Sequence, residues 1–278
     1  MDKAVRRTPF PDFRKSNPSE AKPFFNQGIE SLVKKDLKRA IRQFDQAIKL
    51  DNRFALAYSN RGVAWQKLGD VEKALSDFEK AIKLNPKLAD PYYYRGLIKK
   101  KKVDLDGALA DFSRALQLNP RLVEAFSSRG GIHKKQGDFS GALADFDAAL
   151  KIDPAHAEAH NSRGLFRQEK GDLAGALADF DAALKSSPDY AEAFYNRGLA
   201  RKANQDRAGA VADFTAALQL RPTLAEAFAN RGLTLLELGK DAEAQQDFDE
   251  YVRLKPTRWI KLQGIIEKTK RERRQAHL

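Results

Sequence analysis

Apolar residues recur along this chain in steps of three and four, the spacing of one face of an α-helix, as in Leu173, Ala176, Leu177, Phe180, Ala183 and Leu184. Such stretches come in pairs with short polar breaks between them. The breaks Gly69-Asp70, Gly137-Asp138 and Gly171-Asp172 read as a helix stop followed at once by the N-cap of the next helix. Glycine tolerates the left-handed conformation that ends a helix, and an aspartate side chain accepts from the free amides of a first turn. Pro188 ends a second helix, because it can neither donate nor continue. Small residues such as Gly164 and Ala176 let the two antiparallel helices approach closely. One hairpin cannot cover its own apolar face, so hairpins of this kind must stack.

The pattern repeats at a fixed period of 34 residues. Arg-Gly recurs at Arg61-Gly62, Arg95-Gly96, Arg129-Gly130, Arg163-Gly164, Arg197-Gly198 and Arg231-Gly232, with Gln27-Gly28 one step earlier. In the same register stand Ala40, Ala74, Ala108, Ala142, Ala176, Ala210 and Ala244, and four residues later Phe44, Phe78, Phe112, Phe146, Phe180, Phe214 and Phe248. A proline row runs from Pro86 to Pro256, and an aromatic-type row comprises Phe24, Tyr58, Tyr92, Phe126, His160, Phe194 and Phe228. Five rows in one register exclude coincidence.

This arrangement resembles the tetratricopeptide repeat (TPR) family, whose signature places an aromatic, a Gly, Ala-x-x-x-Phe and a closing Pro at these offsets. The resemblance covers seven repeats: 21–54, 55–88, 89–122, 123–156, 157–190, 191–224 and 225–258. It implies an all-α solenoid, one helix hairpin per repeat, wound as a right-handed superhelix whose groove is lined by the first helix of each hairpin. The first repeat is degenerate, with Gln27 for the arginine and Asn52 for the proline. Residues 259–278 are expected to form a capping helix through Trp259, Ile260, Leu262, Ile265 and Ile266, with a basic far end, Lys268 to Arg274, that has no apolar side and frays. Residues 1–20, with three prolines, read as an extended basic arm that Phe10 and Phe13 pin to the solenoid.

Two rows go beyond the usual signature. Arg61, Arg95, Arg129, Arg163, Arg197 and Arg231 stand where the family more often has Leu, and the same six repeats carry Asp77, Asp111, Asp145, Asp179, Asp213 and Asp247. The antiparallel helices put each Arg level with the Asp of its own repeat, so a contact within each repeat is expected. The first repeat lacks both, with Gln27 and Gln43 instead. A ligand site has no reason to lose both residues together, so we read the pairs as a structural ladder rather than as grips on an anionic ligand.

By analogy with the family, a ligand is expected on the first helices. Asn60, Tyr94, Asn196 and Asn230 stand in one row there, and Tyr93, Asn161 and Tyr195 in the next. An amide can donate to and accept from a peptide backbone, and a tyrosine offers wide contact with one polar handle. Acidic residues (Asp90, Glu124, Glu158, Glu192, Glu226) open these helices, and lysines, Lys67, Lys101 and Lys135 among them, close them. Helix dipoles explain much of that split, but the lysines also suit an acidic segment of a partner. The carboxylate clamp of some family members needs Lys and Asn at the fifth and ninth positions, where this chain has residues such as Ser59, Tyr93, Val63 and Leu97; only its Asn row survives.

Composition narrows the function. The net charge is +12, but much of it lies in the two ends, which leaves +5 for residues 21–256. That surplus is mild, and RNA or single-stranded nucleic acid is the second expectation, behind a protein or peptide partner, through the Lys268–Arg274 run and the Lys100–Lys135 cluster with Tyr93, Tyr94 and Tyr195 as stacking platforms. There is no cysteine, which excludes disulfides, thiolate metal sites and a cysteine nucleophile. No phosphate loop, nucleophile elbow or zinc signature occurs. His156 and His160 are four apart, but Ala157 stands where a metalloprotease needs Glu, so no metal or other cofactor is expected. With no spanning segment or secretory signal either, the expectation is a non-catalytic cytoplasmic scaffold or adaptor.

Overall fold

The computed structural model describes residues 17–276. The expected N-terminal arm, with Phe10 and Phe13, lies outside them up to residue 16. Among the described residues there are fifteen α-helices, one 3-10 turn and no strand, and none of the helices is long and apolar enough to cross a membrane. The chain divides into two compact units, residues 1–129 and 130–278. The first holds the hairpins α1 (Pro18–Val33) with α2 (Leu37–Leu50), α3 (Ala55–Leu68) with α4 (Val71–Leu84), and α5 (Ala89–Lys101) with α6 (Leu105–Leu118). The boundary falls inside α7 (Val123–Lys135). The second unit continues with α8 (Phe139–Ile152), α9 (Ala157–Glu169) with α10 (Leu173–Ser186), α11 (Ala191–Ala203) with α12 (Arg207–Leu220), and α13 (Ala225–Glu237) with α14 (Asp241–Leu254). A 3-10 turn (Pro256–Arg258) leads into α15 (Trp259–Ala276).

Each hairpin closes on the rows that defined the repeat. The Phe and Ala rows are almost wholly buried from Phe44 and Ala40 to Phe248 and Ala244. The glycine of the first helix faces that phenylalanine: a Cβ on Gly198 would stand 2.7 Å from Cε1 of Phe214. Aspartates 36, 70, 104, 138, 172 and 206 cap the second helices by accepting from the amide three residues on. The residue before each cap turns left-handed. Glycine fills that place at Gly69, Gly137, Gly171 and Gly239, but Lys35, Val103 and Gln205 hold it at φ of 61, 67 and 64°. Within each unit the first helices also touch one another, α1 with α3 and α3 with α5, α9 with α11 and α11 with α13. They form one face and the second helices another.

Two boundaries differ from the sequence expectation. Pro18, Ser19 and Glu20, assigned to the arm, are the first turn of α1: Asn17 caps it and Pro18 sits at its first position, where its missing N–H costs nothing. The basic end of α15 stays helical to Ala276 rather than fraying at Lys268. Leu262 and Ile266 bury against α13 and α14, and Arg273, two turns beyond Ile266, reaches back from the same side. Its Nη1 donates to the Leu236 carbonyl at 2.7 Å, and the guanidinium grips Asp241 at 2.9 and 3.0 Å. An arginine can thus anchor a helix face that carries no apolar residue, because its stem is long and its donors reach the last carbonyls of a neighbouring helix.

Candidate functional site

The Arg and Asp rows meet inside the hairpins. Nε and Nη2 of Arg61 donate to Asp77 at 2.8 and 2.7 Å. The same two-pronged contact joins Arg95 to Asp111, Arg163 to Asp179, Arg197 to Asp213 and Arg231 to Asp247. These aspartates are 2–5% exposed. The remaining expected pair, Arg129 with Asp145, spans the boundary between the two units. In the first repeat the Gln43 side-chain oxygen is buried with no partner among the described residues.

Two partners of this ladder escaped the sequence reading. The third nitrogen of the arginine points to the preceding repeat: Arg61 to Asp45, Arg163 to Asp147 and Arg197 to Asp181 at 2.5–2.7 Å, Arg129 to Ser113 and Arg231 to Thr215 at 3.2 and 3.0 Å. One side chain therefore ties its own hairpin and links it to its neighbour. One turn after the arginine row, Lys99, Arg167 and Arg201 supply a second cation to Asp111, Asp179 and Asp213. The same 34-residue step, running through His133 as well, was the signal for them. Trp65 and Leu235 take that place in the second and seventh repeats, which leaves Asp77 and Asp247 with one arginine each. Burial pushes the Asp77 carboxyl up, offset in part by Arg61 and reinforced by Asp45.

On the first-helix face the expected ligand residues are engaged with one another. In the first unit Tyr94 stacks on Phe78 (centroids 5.9 Å apart) and Tyr93 packs edge-on against Tyr94 at 5.1 Å. Burial, then the charges of Asp90 and Glu124, raise the Tyr94 hydroxyl. Asn60 donates back to the Leu56 carbonyl of its own helix. In the second unit Asn196 Nδ2 donates to Asn161 Oδ1 at 2.9 Å, and these two side chains are only 9 and 7% exposed. Asn230 donates to the Tyr195 hydroxyl at 3.1 Å and to the Glu226 carbonyl at 2.8 Å. Fifth and sixth positions of consecutive repeats are 35 residues apart, so their side chains meet where α9, α11 and α13 touch. The asparagines thus spend much of their bonding capacity across helix contacts, and open surface lies to either side of them.

Lys67, Lys101 and Lys135 are exposed at the ends of α3, α5 and α7. Their neighbours Lys102 and Lys134, and Lys202 at the end of α11, pair with Glu72, Glu169 and Glu237 of adjoining repeats. The two histidines serve the backbone and the ladder: His156 Nδ1 caps α9 by accepting from the Ala159 amide, and His160 contacts Asp179 and the Pro154 carbonyl. No group of three or more metal-ligating side chains occurs among the described residues.

In the second unit a cleft of about 370 Å3 lies between α13 and α15. Ala229, Leu233, Tyr251, Leu262 and Ile265 form its apolar floor, and Glu226, Asn230 and Arg258 its polar edge. A smaller cleft of about 310 Å3 lies at the start of α9, between His156, Glu158, Ser187 and Tyr190. Arg258 and Ser187 belong to turns, so repeat periodicity alone did not mark either cleft.

The geometry agrees with what the chain is similar to. The family model described as Tetratricopeptide repeat matches residues 55–88, and a second of that description matches 93–157, 128–191, 165–223 and 195–258. A third, TPR repeat, matches 34–69. Among curated proteins none matches the chain. Solved structures do. YrrB, described as a TPR protein with an unusual peptide-binding site, is 22% identical, with a TM-score of 0.51 over 67% of this chain and 96% of that one. A chain of the APC/C hetero-tetramer Cut9-Hcn1 is 15% identical, with a TM-score of 0.75 over 90% of this chain and 54% of that one. A tetratricopeptide repeat protein from Parabacteroides merdae is 17% identical, with a TM-score of 0.64 over 92 and 99%. At such identities these likenesses speak for the fold; the family matches and the seven-fold rows speak for descent, and the chain belongs to the tetratricopeptide repeat family.

Proposed function

We propose that this chain is a non-catalytic scaffold that holds a segment of a partner protein against the face formed by its first helices. The observation that carries this reading is the cleft between α13 and α15, with an apolar floor and a polar edge of Glu226, Asn230 and Arg258. An apolar side chain of a bound segment would be buried there, and the edge groups would meet its backbone. Tyr195 and Asn230 continue the same surface toward α11, and Tyr93 and Tyr94 give the first unit an aromatic counterpart. The peptide-binding site in the description of YrrB supports the same use of a similar fold. Lys67, Lys101 and Lys135 offer an acidic stretch of the partner a place to pair. A polyanion such as RNA is disfavoured on this face by the carboxylates of Glu158, Glu192 and Glu226.

Affinity capture from lysate of the source cells, with and without nuclease, tests the reading. Ile265→Lys is the control, because Ile265 is 43% exposed at the cleft and its replacement leaves the core intact. A defined protein kept by the wild type after nuclease and lost by the variant is the expected result. Recovery of nucleic acid alone, unaffected by the variant, would replace the reading with nucleic-acid binding.

A further inference from the structure

Two consecutive repeats of the second unit solve the same local problem differently. In repeat 191–224, Arg221 follows α12 and its Nη2 reaches the Glu192 carboxylate at 2.5 Å. Stepping back 34 residues, Glu192 becomes Glu158 and Arg221 becomes Ser187. The backbone is the same at both places, φ −138° and ψ 87° at Arg221 against φ −137° and ψ 89° at Ser187. The side chains therefore leave from equivalent points, but the serine hydroxyl turns aside to Asp189 at 2.7 Å. The space a guanidinium takes in one repeat is in the other the cleft of about 310 Å3 lined by His156, Ala157, Glu158, Ser187 and Tyr190.

The walls of that cleft suit a cation. Glu158 is exposed and has no ion-pair partner among the described residues. Tyr190, half-buried, presents an aromatic ring beside it, and an aromatic face beside a carboxylate attracts a guanidinium or ammonium group. The Tyr190 hydroxyl is pushed up to about 12, first by burial and then by the charges of Glu158 and Glu192, offset in part by Asn161 and Arg221. The Nδ1 of His156 is occupied in capping α9, which keeps that lone pair in use and the ring in place as the opposite wall.

We infer that the cleft between Glu158, Ser187 and Tyr190 is a pocket for an arginine side chain of a partner segment, which takes the place that Arg221 fills in the next repeat. The inference rests on the reading that the first-helix face holds a protein segment, and it adds that the segment carries a base where it passes the start of α9. The chain contains its own precedent for the contact: the same carboxylate, the same backbone and an arginine already in position one repeat on.

The test uses the full chain labelled with nitrogen-15 and a capped pentapeptide, acetyl-Ala-Ala-Arg-Ala-Ala-amide, with a citrulline peptide as the neutral isostere. Saturable shifts of the amides around Glu158, Ser187 and Tyr190 are expected, with binding weakened about tenfold or more for citrulline and in Glu158→Gln. Ser187→Arg, which gives this repeat its neighbour's arrangement, is expected to abolish the shifts while leaving the melting temperature unchanged. Arg221→Ser is expected to open a second site, seen as a new set of shifts around Glu192. Shifts that are absent up to roughly 20 mM peptide, or that persist unchanged in Glu158→Gln and Ser187→Arg, would overturn the inference. The scaffold reading is decided separately, by the Ile265→Lys capture, whose cleft is lined by none of these residues.

Discussion

The ladder contains an internal control for the cost of a buried charge. Asp213 and Asp247 are both 3% exposed and both take two hydrogen bonds from the arginine of their repeat. Asp213 has a second cation, Arg201, at 2.9 Å, whereas Leu235 occupies that place beside Asp247. Arg231→Ala therefore leaves a carboxylate in the core with no cation, a situation that costs about 3–5 kcal/mol. Arg197→Ala removes the equivalent hydrogen bonds but leaves the Arg201 pair, so its cost is about 1–2 kcal/mol. A stack of repeats opens piecewise, so a single global midpoint would blur the comparison. Hydrogen exchange resolves it locally, in α13 and α14 for Arg231→Ala and in α11 and α12 for Arg197→Ala. Equal losses in the two variants would refute the account.

Three other expectations follow from particular residues. Val103 is a β-branched residue held at φ 67° and 75% exposed, so Val103→Gly relieves a left-handed cost of about 1–2 kcal/mol against a glycine entropy cost of about 0.5–1 kcal/mol. Its melting temperature should rise, and a fall would show that the turn is unstrained. Gly198→Ala drives a methyl into the Phe214 ring and is expected to destabilise by about 1–3 kcal/mol, with Phe214→Leu in the same chain recovering part of the loss; additive losses in chemical unfolding would contradict this. Arg273 holds the Asp241 carboxyl below its ordinary value of 3.8. The contact is therefore present above that value and is lost as pH falls through the lower folded-state one. Exchange protection in the last turns of α15, corrected for intrinsic rates, should drop on acidification and lose that dependence in Arg273→Gln.

The fold was legible because it is written seven times. A 34-residue period with Gly facing Phe and Ala facing the partner helix leaves one local solution, a hairpin, and hairpins with an uncovered apolar face have one collective solution, a stack. The Arg and Asp rows were legible for the same reason, since repetition turns a residue pair into a register. What repetition could not convey is where the register is broken and what crosses between repeats. Arg61, Arg163, Arg197 and Arg231 each send a further hydrogen bond to the preceding hairpin. The amides of Asn161 and Asn196, free to bind in the sequence, meet each other across α9 and α11. The basic end of α15 looked unanchored until Arg273 was seen to reach Asp241, 32 residues back. Both clefts depend on single departures from the pattern, Ser187 where the next repeat has arginine, and the turn that lays α15 beside α13. A periodic sequence determines the contacts that every repeat shares, because each is tested by its neighbours. The contacts made once depend on distances between side chains remote along the chain, and those are set only when the helices are packed.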